Sequence, residues 1–119
     1  MTTHLRVTAG GHELLLPGSS VLHVSDDAGS GRPGLDLAQL LGDTSATGAV
    51  TILYGEDEAA AIRLAVDAVI GLVDVRPEML ARLPPLSPRF AQLFDSIAVE
   101  AIDGRHPLCL RARLAADGL

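Results

Sequence analysis

The chain contains no lysine, no asparagine and no tryptophan, and its 119 residues include one cysteine, one tyrosine and two phenylalanines. Each shortage excludes something. The single Cys109 cannot form a disulfide within the chain or supply a multi-cysteine zinc site. An aromatic content of 3% argues against a pocket that stacks sugars or bases. All nine cationic residues are arginines scattered along the sequence, and the net charge is −6, so the basic face of a nucleic-acid binder is absent. No apolar run approaches the ~18 residues needed to span a bilayer as a helix. The opening "MTTHLRVTAGG" has no apolar signal core. Together with the lone cysteine, this predicts a cytoplasmic protein with no membrane insertion.

What is present suits a folded domain. Hydrophobic residues make up 48% of the chain and charged residues 20%, at a length that can bury a core without staples. Gly10-Gly11 separates two runs of strand formers and predicts a hairpin. Pro17-Gly18 is a second break, followed by a short run through Val21, Leu22 and Val24. "DDAGSGRPG", Asp26 to Gly34, is rich in turn formers and reads as a loop. Leu37, Leu40 and Leu41, before Gly42, suit one or two helical turns. Ala49 to Gly55 is a strand, with Val50, Ile52 and Tyr54 alternating.

The stretch from Glu56 to Val75 fits two periods. Ile62, Val66, Val69, Ile70 and Val73 form a helical stripe, with Arg63 and Asp67 an i,i+4 pair on its outer face. Ile62, Leu64 and Val66 also alternate as in a strand. Propensity alone leans towards helix. Beyond it, "RPEMLARLPPLSPRF" holds four of the seven prolines and reads as irregular. "RFAQLFDSI" suits a short helix, with Phe90 and Phe94 paired. The end reads as strand, Asp103-Gly104 turn, strand, with Ile97, Val99 and Ala101 alternating before the turn and Leu108, Leu110 and Ala112 after it.

Catalytic signatures are weak. His4, His12, His23 and His106 are dispersed, and none makes a helical i,i+4 metal pair. Cys109 lies in an apolar alternating run and reads as a buried strand thiol, with His106 directed to the opposite face. No serine sits in a G-x-S-x-G elbow. "AGSGRPG" lacks the lysine of a phosphate-binding loop. The many carboxylates read as a solvated surface. No metal, no cofactor and no enzymatic activity are expected.

The order of segments resembles the CheW-like family, the adaptor domains of bacterial chemosensory arrays. "LRVTAGGHELLLPGSSVLHV" is similar to the family's first two strands. "LDLAQLLG" resembles its "vDLr..lg" element, and "AAIRLAVDAVIGLVDVRPEMLARLPP" its hallmark "g..vDrV.gv..l..e.l.p.P". "SIAVEAIDGRHPLCLRARLA" resembles the closing strand, turn and strand. The resemblance implies a mainly β fold of two intertwined SH3-like β-barrels in a single domain, with one or two short helices. Residues 1–48 would mostly build the first barrel and residues 49–119 the second. It turns Ile62 to Val66 into a strand and makes Asp67 a structural acid that bonds local backbone at the strand's end.

The implied function is a non-catalytic adaptor that binds the regulatory domain of a histidine kinase and, secondarily, a chemoreceptor. Val66, Asp67, Val69 and Ile70 are the expected partner-binding residues, with core packing the competing account of the aliphatics. One departure stands out. The family's segment with an Arg-Gly turn is replaced by "SDDAGSGRPG", in which Arg32 follows Gly31. This implies an abbreviated first barrel and weakens the expectation of receptor contact. A diverged relative that self-associates as a homodimer is the second reading, and a small ligand-binding protein or enzyme the third.

Overall fold

The structure is a computed structural model that describes residues 2–25, 34–37, 50–59, 61–83, 92–102 and 104–111. Its described elements are strands β1 (Thr2–Ala9), β2 (His12–Pro17), β3 (Val21–Ser25), β4 (Gly34–Asp36), β5 (Val50–Tyr54), β6 (Ile62–Val66), β7 (Ala68–Val75), β8 (Leu80–Arg82), β9 (Phe94–Ala98) and β10 (Leu108–Leu110), with short 3₁₀ turns at Gly18–Ser20 and Pro77–Met79. The strands form a six-stranded sheet, β7-β1-β2-β10-β9-β8, and a four-stranded sheet, β3-β5-β6-β4. Each sheet takes strands from both halves of the chain.

The hairpin of β1 and β2 closes at Ala9 opposite His12. Gly10 and Gly11 hold φ of 61° and 80°, positive values that a two-residue turn of this kind requires and that glycine adopts without a Cβ clash. In the run Leu14-Leu15-Leu16 all three side chains are fully buried, because this sheet is covered on both faces. Leu14 and Leu16 lie opposite Val7 and Leu5 and face the large core. Leu15, opposite Arg6, faces a smaller one.

The large core lies between the sheets and joins Leu5, Val7, Leu14 and Leu16 to Ile52, Tyr54, Ile62, Leu64 and Val66. The smaller core groups Leu15, Val75, Ala98, Ile102 and Cys109, with Val73 from β7 and Leu80 from β8 packed against it. The outermost strands of the six-stranded sheet thus serve one core, so the sheet curls upon itself. The Pro77–Met79 turn drives this: proline favours the first helical position, and the Met79 carbonyl accepts the Val99 N–H at 2.8 Å.

Several expectations are settled here. The helical period of residues 58–73 loses to the strand period, since Ile62, Leu64 and Val66 are buried with Arg63 and Ala65 half-buried. Phe94 does not continue a helix; it opens β9, opposite Leu110. β9 ends at Ala98, so Val99 and Ala101 lie beyond the strand, and a bridge between Ile102 and Arg105 makes the turn. Leu40, Leu41, Gly42, Phe90 and Ala112, with most of the Asp26 to Gly34 loop, lie outside the described residues.

Candidate interaction surface

The corner between β6 and β7 is one residue long, and that residue is Asp67. Its backbone N–H donates to the Thr8 carbonyl at 2.8 Å. Its Oδ2 accepts the N–H of Gly10 at 2.9 Å. The acid therefore bonds backbone, as expected, but the partner is the β1–β2 turn, 57 residues away, and not local chain. Asp67 fastens the passage between the two sheets onto the hairpin that starts the fold.

Beyond Asp67, β7 alternates. Val69 packs against the large core, while Val73 and Val75 serve the small one. Ala68, Ile70, Leu72 and Asp74 face outwards. Ile70 is 47% exposed and Leu72 71% exposed. Opposite β1, the register skips Ile70, which marks a bulge at that point. Charged groups border the aliphatic pair at the end of the strand. Thr3 Oγ1 donates to Asp74 Oδ1 at 2.9 Å, and Arg76 lies 3.6 Å from Glu78 and 3.2 Å from Glu100. An apolar centre with a polar margin is the usual plan of a protein-docking patch.

The four expected contact residues separate accordingly. Ile70 is on the surface, Val69 is half-buried, and Asp67 is occupied by the hairpin turn. Val66 is fully buried, so core packing accounts for it and it cannot be an exposed contact. Leu72 was not singled out from the sequence, although its alternation with Ile70 was the available signal.

Among the described residues, Cys109, His106 and Tyr54 are each held by structural contacts. Cys109 is buried, and its thiol is pushed up to about 12 by burial and by the nearby Asp95 carboxylate, opposite to the shift that activates a nucleophile. His106 does not serve it: its Nδ1 meets the Ala98 carbonyl at 2.9 Å, so that nitrogen carries the proton. Tyr54 donates to the Arg111 carbonyl at 2.6 Å, and burial raises its phenol pKa. A groove of ≈ 280 Å³ runs between the β1–β2 turn and residues 104–108, lined by His12, Glu13, Arg105 and His106 among others. Glu13 is already paired with Arg6, at 2.5 Å from Nε. Among the described residues no group of three or more His, Cys, Asp or Glu could hold a metal ion, and no helix is long and apolar enough to cross a membrane.

No protein-family model matches the chain, and no curated protein matches it. Solved structures do. The scaffolding protein TtCheW from Thermoanaerobacter tengcongensis superposes with a TM-score of 0.75 at 14% sequence identity, covering 94% of this chain and 90% of that one. The fold is therefore CheW-like and mainly β, with two sheets consistent with SH3-like subdomains.

Proposed function

We propose that this chain is a single-domain, non-catalytic adaptor of a bacterial chemosensory system, docking onto the regulatory domain of a histidine kinase in the cytoplasm. The observation that carries this is the near-complete coverage of a scaffolding protein's fold, together with an outward aliphatic pair on β7. Ile70 and Leu72 are the anchors, and Asp74 and Arg76 belong to the rim. Asp67 and Val69 act from beneath, holding the strand in place. Binding through a few aliphatic anchors inside a polar margin needs no cofactor and no bond chemistry. Contact with a chemoreceptor is the lesser part of the proposal, because Gly31-Arg32 replaces the family's Arg-Gly order and the first barrel would be abbreviated.

The test is a titration of the purified chain against the regulatory domain of a chemotaxis-type histidine kinase from the same genome. Binding tighter than about tens of micromolar is expected, weakened at least about tenfold by Leu72→Lys. No binding in that range would overturn the proposal. A gene for such a kinase beside this one would support it further. A small-molecule thermal-shift screen separates off the enzyme or ligand-binding reading, which requires a hit.

Among the described residues no strand pairs with the outer edge of β7, which favours one other reading, a diverged relative that self-associates.

A further inference from the structure

β2 and β10 run parallel, with Leu108 beside Leu14 and Cys109 beside Leu15. Parallel neighbours enter a sheet at the same end. The turns that precede them, at Gly10-Gly11 and at Gly104, therefore stand together, and the groove of ≈ 280 Å³ is the gap between them. Its walls are held in place. Asp67 binds the Gly10 N–H, Ile102 and Arg105 exchange backbone bonds at 2.8 and 3.1 Å, and the His106 ring is fixed to the Ala98 carbonyl. Gly11 and Gly104 have open space about them, so both rims admit another chain.

The lining is unequal in charge. Glu13 is buried and already paired with Arg6. Arg105 and His12 are exposed, and among the described residues neither side chain has a hydrogen-bond or ion-pair partner. Half-buried Leu108 adds apolar surface to the same groove. We propose that the groove takes a glutamate side chain presented by a protein partner, with its carboxylate on the Arg105 guanidinium and its methylenes against Leu108. A planar guanidinium matches a carboxylate through two parallel N–H bonds. The volume lies just below the roughly 300–1,000 Å³ of pockets that enclose a larger ligand, and it suits one side chain. Leu108 is what distinguishes a glutamate from an inorganic anion, which has no methylenes to bury. This contact goes beyond the adaptor reading and does not depend on the aliphatic pair of β7.

The experiment follows the amide NMR signals of the isotope-labelled full chain while a capped hexaglutamate peptide is added. The shifts should cluster at Gly11, His12, Gly104, Arg105 and His106 and saturate at about millimolar peptide. Arg105→Gln should weaken binding by about threefold or more. Arg82→Gln, which removes another exposed arginine from β8, should leave it unchanged. Signals outside the groove that match those of the parent show that each variant is folded. Sodium glutarate and inorganic phosphate should move the same amides only at higher concentration. No shift at these residues up to about 10 mM peptide would overturn the assignment. So would equal weakening by Arg82→Gln, which would mean that the peptide is drawn by charge alone. Glutarate or phosphate as effective as the peptide would reduce the groove to a small-anion site and overturn the partner. Peptide binding without kinase binding would leave the groove assignment standing and sink only the adaptor proposal; the reverse result would sink only the groove assignment.

Discussion

Replacing Asp67 by alanine should loosen the whole fold, although the residue is neither in the core nor in a charge pair. The substitution removes the acceptor for the Gly10 N–H at 2.9 Å and leaves the Asp67 N–H to Thr8 bond in place. A hydrogen bond to an ionised acceptor contributes about 1.5–3 kcal/mol. The turn at Gly10 is half-buried, so water would take up part of the freed donor, leaving a net loss of roughly 1–2 kcal/mol. For 119 residues the unfolding entropy near the midpoint is roughly 0.25 kcal/mol/K, so Tm should fall by about 4–8 °C. Asp67→Asn keeps a carbonyl oxygen in the same place and should recover about half of that loss. Thermal melts of the three proteins followed side by side by circular dichroism decide it. An alanine variant melting within about 1 °C of the parent, or an asparagine variant no better than alanine, would refute the role assigned to this bond.

Glu13→Ala should cost about 1.5–3 kcal/mol in urea unfolding, because it removes the buried carboxylate that accepts from the Arg6 guanidinium. Val66→Ala should cost about 2 kcal/mol and Ile70→Ala no more than about 1, the difference between a fully buried valine and a half-exposed isoleucine; equal costs would contradict the burial described. Tyr54→Phe leaves the Arg111 carbonyl without its 2.6 Å donor and should cost about 1 kcal/mol by the same measurement. The Cys109 thiol is raised from 9.0 to about 12 in the folded chain, so the unfolded chain loses its proton first. Stability is therefore full below pH 9 and falls as pH rises towards 12, and Cys109→Ala should flatten that decline in denaturation curves taken across the range.

The parts of this fold that could be read from the sequence are those fixed by neighbours in the chain. Gly10-Gly11 announced the hairpin because two positive φ angles in a row leave little choice but glycine. Val50 to Tyr54 announced β5 by alternation. The stretch from Ile62 to Val73 could not be settled locally, since its aliphatics satisfy both periods. What decides it is pairing with β5 and β1, which lie far away in the sequence. The short helix read before β9 is helical at Gln92 and Leu93 but does not extend to Phe94, which pairs with Leu110 instead. The partner of Asp67 was likewise unreadable, because nothing in a sequence marks which distant turn will present a free N–H. Val66 is different. Its parity with Ile62 and Leu64 places it on their buried face.

Parity also explains why β7 exposes aliphatics at all. Residues 62, 64 and 66 face the large core. The chain then passes through a single corner residue into the other sheet, and positions 68, 70, 72 and 74 of the same parity now face outwards. Ile70 and Leu72 are therefore not leftovers of a loosely packed core, because Val69, Val73 and Val75 already fill the inward positions. A one-residue insertion at the corner would exchange the two sets, sending Ile70 and Leu72 inwards and the valines out. The bond from Gly10 to Asp67 opposes such a slip, since it fixes the corner to a turn that belongs to neither strand. The acid at the corner thus fixes the point at which the chain leaves one sheet for the other.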